Sequence, residues 1–193
     1  MADEEKKLAQ TMSKHHPRNE DYWATLPPDL QEFHDKEWGV PQHDDNKLFE
    51  LLSLQTYAAG LNWRTALEKR AAFNVAFHNY DVATVAKMTL NDIDALMQDP
   101  DIIRNQHKLE ATLANAMAIQ RVQKEFGSFD KYLRHFVDGQ PALAADDLAG
   151  KSELAITVSN DMKKRGFKFV GPSTAFNYLQ GVGVMPPRPR TAQ

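Results

Sequence analysis

The sequence predicts an all-α protein folded as one compact unit, in one helical lobe or two. Three observations carry this reading. Apolar residues recur three and four apart in several stretches, the spacing that puts them on one helix face. Side chains able to cap a helix, mainly Asp, Ser and Thr, stand just ahead of most of those stretches. No run alternates apolar and polar residues as a half-buried strand would, and no segment repeats.

Residues 1–20 are charged and aperiodic and read as a flexible extension, so the domain is expected over residues 21–185. Asp44 and Asp45 can cap a helix whose Leu48, Phe49, Leu51, Leu52 and Leu54 follow helical spacing, with Gly60 just past its end. A second helix follows Trp63 and buries Leu67, Phe73 and Phe77. Thr89-Leu90-Asn91-Asp92 reads as a capping box ahead of Ile93 and Leu96. Asp99-Pro100-Asp101 stops that helix, because proline disfavours helical geometry in the residue before it. A long helix is expected from near Asn105 to about Glu125. Ser128 opens a short one, Ser152 another that ends at Gly166, and Ser173 the last. The Pro- and Arg-rich residues 186–193 favour a flexible extended tail.

A chain of 193 residues is long enough for one sizeable core. Its 42% hydrophobic and 25% charged residues are ordinary globular values. With a net charge of -3 there is no blanket attraction to nucleic acid, so contact with DNA has to use local basic clusters. The absence of cysteine excludes disulfides, thiolate chemistry and cysteine-ligated zinc. No run approaches the roughly 20 apolar residues of a membrane span, and the N-terminus has no apolar signal core. A cytoplasmic, monomeric protein without contact to membranes is the expectation.

Three segments carry the chemistry: Phe33-His34-Asp35-Lys36-Glu37-Trp38-Gly39-Val40-Pro41, Gly60-Leu61-Asn62-Trp63-Arg64, and Lys163-Lys164-Arg165-Gly166-Phe167-Lys168-Phe169-Val170-Gly171. Together they resemble the DNA-3-methyladenine glycosylase I family of the helix-hairpin-helix superfamily, with the likeness running from about Trp23 to Val184. The resemblance implies an enzyme that binds double-stranded DNA, flips out an alkylated adenine and hydrolyses its N-glycosidic bond without a cofactor. Such a base must be held between apolar or aromatic faces once it leaves the stack. A cationic methylated purine suits aromatic rings, whose faces attract positive charge by about 0.5–2 kcal/mol. By resemblance Trp23, Phe33, Trp38 and Trp63 form this cage, Gln55 reads the base edge, and Asn177 touches the base. Leu61 is the residue wedged into the duplex. Taken alone, each aromatic or leucine is more often a core residue.

The segment from Leu96 to Ala111 reads as a helix, a tight turn and a second helix. Such a hairpin can turn backbone N–H groups and a helix N-terminus toward a phosphate, with Arg104 and Lys108 adding charge. Two core helices joined by a turn give the same pattern, and Asp101, where the family usually has glycine, adds repulsion. Lys163, Lys164 and Arg165 invite DNA contact by resemblance. Their simpler reading is a set of cations at a helix C-terminus, worth about 0.3–1 kcal/mol. Arg64, Lys69 and Arg70 are equally ambiguous.

Several positions depart from the family. Phe33 stands where a tyrosine is usual, Leu30 likewise, Gln55 replaces a glutamate, and Asn177 a serine. A neutral amide gives a bond of roughly 1 kcal/mol where a carboxylate gives about 1.5–3. The family's zinc set is reduced to His34, with Asp21, Arg188 and Ala192 at the other ligand positions, so no metal is expected. These changes leave three readings open: 3-methyladenine excision, excision of a different lesion, and a homologue that binds DNA or another ligand without the chemistry.

Overall fold

The computed structural model describes residues 24–138 and 152–185. Every regular element among them is helical. They are α1 (Pro28–Lys36), α2 (Asp45–Ala58), α3 (Trp63–Glu68), α4 (Arg70–Ala76), a 3-10 turn (His78–Tyr80), α5 (Val82–Val85), α6 (Leu90–Leu96), α7 (Gln106–Phe126), α8 (Phe129–His135), α9 (Glu153–Lys164) and α10 (Pro172–Gly181). The expected all-α class is what the chain adopts. No helix among the described residues is long and apolar enough to cross a membrane.

Local signals explain most boundaries. Asp44 accepts a 2.9 Å bond from Lys47 N and opens α2, while Gly60, at φ 74°, turns the chain after it. Thr89 and Asp92 form the expected capping box of α6, and Ser128 and Ser152 cap α8 and α9. Asp45 does not cap α2. From its first turn the Asp45 carboxylate accepts bonds from Phe129 N, Asp130 N and Gln123 Nε2 at 2.7–3.0 Å, binding the start of α8 to α2.

Elsewhere the elements differ from the sequence reading. The helix expected after Trp63 begins at Trp63, capped by Asn62, and breaks at Lys69 into α3 and α4. The last helix starts at Pro172 rather than at Ser173, since proline has the φ of a first helical residue and lacks the N–H that would go unpaired there. The sequence reading assigned neither α1, which Pro28 opens, nor α5, which Asp81 caps by accepting a 2.8 Å bond from Thr84 N. The connection between α6 and α7 runs from Met97 to Asn105, longer than the tight turn expected, because it buries Ile102 before Asn105 caps α7.

α2 is the axis of the molecule, with buried residues on every side from Leu48 to Tyr57. Tyr178 on α10 donates to Leu48 O at 2.9 Å, and the Tyr57 hydroxyl meets Thr112 Oγ1 on α7 at 2.8 Å. The buried apolar side chains from Leu26 to Met185 make one contiguous cluster.

Candidate base pocket and DNA-facing turn

Three of the four expected cage rings come together. Trp38 and Trp63 meet edge to face with centroids 5.5 Å apart, and Phe33 lies 6.4 Å from Trp38 and 6.1 Å from Trp63. They arrive from separate places: Phe33 from α1, Trp38 from the loop after it, and Trp63 from the first turn of α3. That loop is fixed to the end of α10, with Gly39 N donating to Gly181 O and Gln42 N to Val182 O. A Cβ at residue 181 would sit 2.8 Å from Trp38 Cζ3, so only glycine lets the indole lie there. Asn177 stands one turn before Gly181 on the same face of α10 and is buried. Trp23, the fourth ring, lies outside the described residues, as do Asp21, Arg188 and Ala192.

Gln55 occupies the last turn of α2 and is buried, as is Trp63. Gln55 Nε2 and Trp63 Nε1 are buried donors with no hydrogen-bond acceptor among the described residues. A buried donor left in that condition costs about 1–3 kcal/mol. Two of them lie on the elements either side of one turn, at residues 55 and 63, in a protein that satisfies most of its polar groups. An acceptor atom brought to either donor would remove that cost.

Behind the rings runs an ionic network that the sequence reading missed. The Glu50 carboxylate is buried and accepts from Arg70 Nε at 2.7 Å and from Lys47 Nζ at 2.9 Å. Burial alone would raise its pKa, but the hydrogen bonds from Arg70 and Lys47 win and hold it below the ordinary carboxylate value. Arg70 also makes a two-pronged pair with Glu37 at 2.8–2.9 Å and covers Phe33, its Cζ 5.1 Å from the ring centroid. Arg70 thus braces the Phe33 ring. A glutamate inside the otherwise apolar run Phe49-Glu50-Leu51 was the signal available for this network.

Leu61, read from the resemblance as the wedge, is 53% exposed at the tip of the Gly60 turn, an uncovered leucine next to a buried aromatic cluster. Arg104 is exposed in the loop ahead of α7, and His34 is buried with Nδ1 3.1 Å from Asp35 Oδ1. No group of three or more metal-ligating side chains occurs among the described residues.

Two expected DNA contacts need correction. Lys108 is buried, and its Nζ donates to Tyr57 O at 2.9 Å and to Ala59 O, the carbonyls that end α2. Arg165 is paired with Asp161 and Glu125 and lies over Phe126 and Tyr132, so its charge is already matched. Lys163 and Lys164 face solvent in the last turn of α9. Through the Arg165–Glu125 pair that turn sits against the far end of α7, seventeen residues or about 25 Å along the helix from Lys108. Arg64 pairs with Glu68 at 2.6 Å, and Lys69 donates to Asp101 O at 2.9 Å.

Comparison with known proteins identifies the family. Residues 23–191 match the family model described as methyladenine glycosylase. The chain belongs to that family. It is 40% identical over 158 residues to the DNA-3-methyladenine glycosylase of Haemophilus influenzae, covering 80% of this chain and 85% of that one. Among solved structures it is similar to a tyrosine-to-phenylalanine variant of 3-methyladenine DNA glycosylase I in complex with 3-methyladenine. That match has a TM-score of 0.79 and 39% identity, covering 84% of this chain and 90% of the other. It is likewise similar to a glutamate-to-glutamine variant of the Staphylococcus aureus enzyme, with TM-score 0.79 and 36% identity, covering 88% and 97%. Both replacements are of the types that the resemblance reads at Phe33 and Gln55.

Proposed function

We propose that this family member excises 3-methyladenine from alkylated double-stranded DNA, acting as a monomer through one domain spanning residues 21–185. The observation that carries the reading is the pair of buried donors without acceptors, Gln55 Nε2 and Trp63 Nε1, the second of them on a ring of the Phe33, Trp38 and Trp63 cluster. A purine offers ring nitrogens as acceptors to such donors, and the rings offer faces to its positive charge. The phenylalanine-bearing relative holds 3-methyladenine, which supports a cage built with Phe33.

In this reading Leu61 enters the stack as the base leaves it, offsetting part of an unstacking cost of a few kcal/mol. Phe33, Trp38, Trp63 and Asn177 enclose the flipped base, together with Trp23 by family resemblance. Gln55 orients its edge. N3-methylation makes adenine a cation, so when the bond from N9 to the sugar C1′ breaks, the electron pair neutralises the departing base. Water then adds hydroxide to C1′ and releases a proton to solvent. Positioning and exclusion of competing geometries supply most of the acceleration required. Arg104, Lys163 and Lys164 are the exposed cations proposed to meet phosphates. The double variant K163Q/K164Q should lower the slope of log K against log salt by about 1–2, one phosphate contact per lysine.

The deciding experiment incubates the protein with methylated DNA and separates the released bases by chromatography. Release of 3-methyladenine is expected. A folded protein that releases no base beside a working control enzyme overturns the proposal, and release of another base alone reassigns the lesion.

A further inference from the structure

The last turn of a helix leaves carbonyls without intrahelical partners, and at the end of α2 their satisfaction can be followed one by one. Gln55 O and Thr56 O both accept from Ala59 N, and Ala58 O accepts from Leu61 N at 2.9 Å. Tyr57 O and Ala59 O accept from Lys108 Nζ. The last turn of α2 contains no cation of its own. The ammonium that completes this helix end therefore comes from α7, across 51 residues of sequence from Tyr57. Lys108 stands in the first turn of α7, where its backbone N–H is held by Asn105 Oδ1 at 3.2 Å. An unbroken chain of contacts thus runs from the start of α7 through Lys108 to Ala59, and from there to the left-handed Gly60 and the exposed Leu61.

We propose that Lys108 is a positioning residue for the wedge. By holding the carbonyls of Tyr57 and Ala59 it sets the Gly60 turn so that Leu61 projects from a rigid base. This rests on the reading of Leu61 as the residue that enters the duplex. Without the ammonium the two carbonyls turn to water, the turn is no longer tied to α7, and Leu61 must be ordered at the moment of insertion. That ordering is a cost of the kind preorganisation removes. A role confined to stability would lower the melting temperature and leave the action of Leu61 unchanged. A positioning role makes the effects of Lys108 and Leu61 interdependent.

The test is a double-mutant cycle of K108M and L61A. Its readout is binding to a duplex with a stable abasic-site analogue, compared with undamaged duplex, with 2-aminopurine beside the gap reporting unstacking. Urea denaturation of each variant runs in parallel. K108M is expected to reduce the preference for the abasic duplex about tenfold in the native background and less than about twofold beside L61A, the non-additivity of residues that act as a unit. Equal losses in both backgrounds, or none in the native one, overturn the proposal. Should K108M not fold, K108Q, which keeps a neutral donor, is read through the same cycle with the same criteria. No excision is needed for this measurement. Non-additive binding in a protein that releases no base keeps the Lys108 role and sinks the glycosylase reading. Base release with additive losses does the reverse, and a native protein without preference for the abasic duplex overturns the wedge and Lys108 roles together.

Discussion

The two ends of α2 answer the same physical demand in opposite ways. At the N-terminal end each strongly polar side chain has found its partner. Asp44 caps its own helix, Asp45 takes three donors from α7 and α8, and Glu50 is matched by Arg70 and Lys47. At the C-terminal end the backbone is fully satisfied, through Lys108, while the side chain of Gln55 and the neighbouring Trp63 indole keep donors that lack acceptors. Native proteins rarely leave such groups alone. Under the proposed function a ligand completes the network at that end. The same helix is then scaffold at its start and site at its finish.

The largest effect expected lies at the scaffold end. R70M leaves Glu50 buried with only Lys47 beside it and should cost about 3–5 kcal/mol of stability, as breaking a buried pair does. Its pH dependence has a definite sign. In the native protein Glu50 has a depressed pKa, so its contribution is present above the unfolded carboxylate value of about 4.3 and is lost as pH falls through the folded value. Without Arg70 the burial effect dominates and the pKa rises. The deficit of R70M should then be greatest near neutral pH and shrink toward pH 4, as followed by urea denaturation across that range. A deficit independent of pH would mean that Arg70 acts through its packing on Phe33 rather than through charge.

At the site end the signs reverse. Q55L removes a buried donor that the free protein does not satisfy, so stability should stay level or rise by up to about 1 kcal/mol. Excision of 3-methyladenine should fall about tenfold, the loss of one neutral hydrogen bond of about 1 kcal/mol or slightly more. Q55E should do the converse. A carboxylate facing a cationic base gives a stronger bond, raising single-turnover excision about tenfold, while its burial without ligand lowers the melting temperature. Indifference of an active enzyme to both changes would remove Gln55 from the pocket.

What was legible in the sequence was local. The cap at Asp44, the Thr89–Asp92 box, the Ser128 and Ser152 caps and the Gly60 turn each depend on residues a few positions apart, and the structure has them all. The aromatic cluster was legible through family resemblance. What was hidden depends on distant partners. Lys108 looked like a phosphate ligand because nothing in its neighbourhood reveals the carbonyls of Tyr57 and Ala59. Arg165 was half legible, since Asp161 stands four residues before it, while its two-pronged partner Glu125 lies 40 residues away. A charged side chain advertises its charge in the sequence but not its partner. The need for glycine at 181 is equally invisible, since it comes from the Trp38 indole against the helix.

The smallest effect expected gives the cleanest comparison. D44A deletes the cap of α2, a 2.9 Å bond to Lys47 N, and should cost about 1 kcal/mol by the usual value of such caps. Asp44 stands eleven residues before Gln55, about 16 Å along the helix. With α2 held on all sides by buried contacts, loosening its first turn should not reach its last. Excision per folded molecule should therefore stay within about twofold of the native rate, the size of change expected for a distant, independent site. D44A and Q55L then form a crossed pair: one loses stability and keeps activity, the other keeps stability and loses activity. Urea denaturation and single-turnover excision on the same two samples measure both axes. If D44A lowers excision as much as Q55L does, the helix transmits strain along its length, and the division into scaffold end and site end fails.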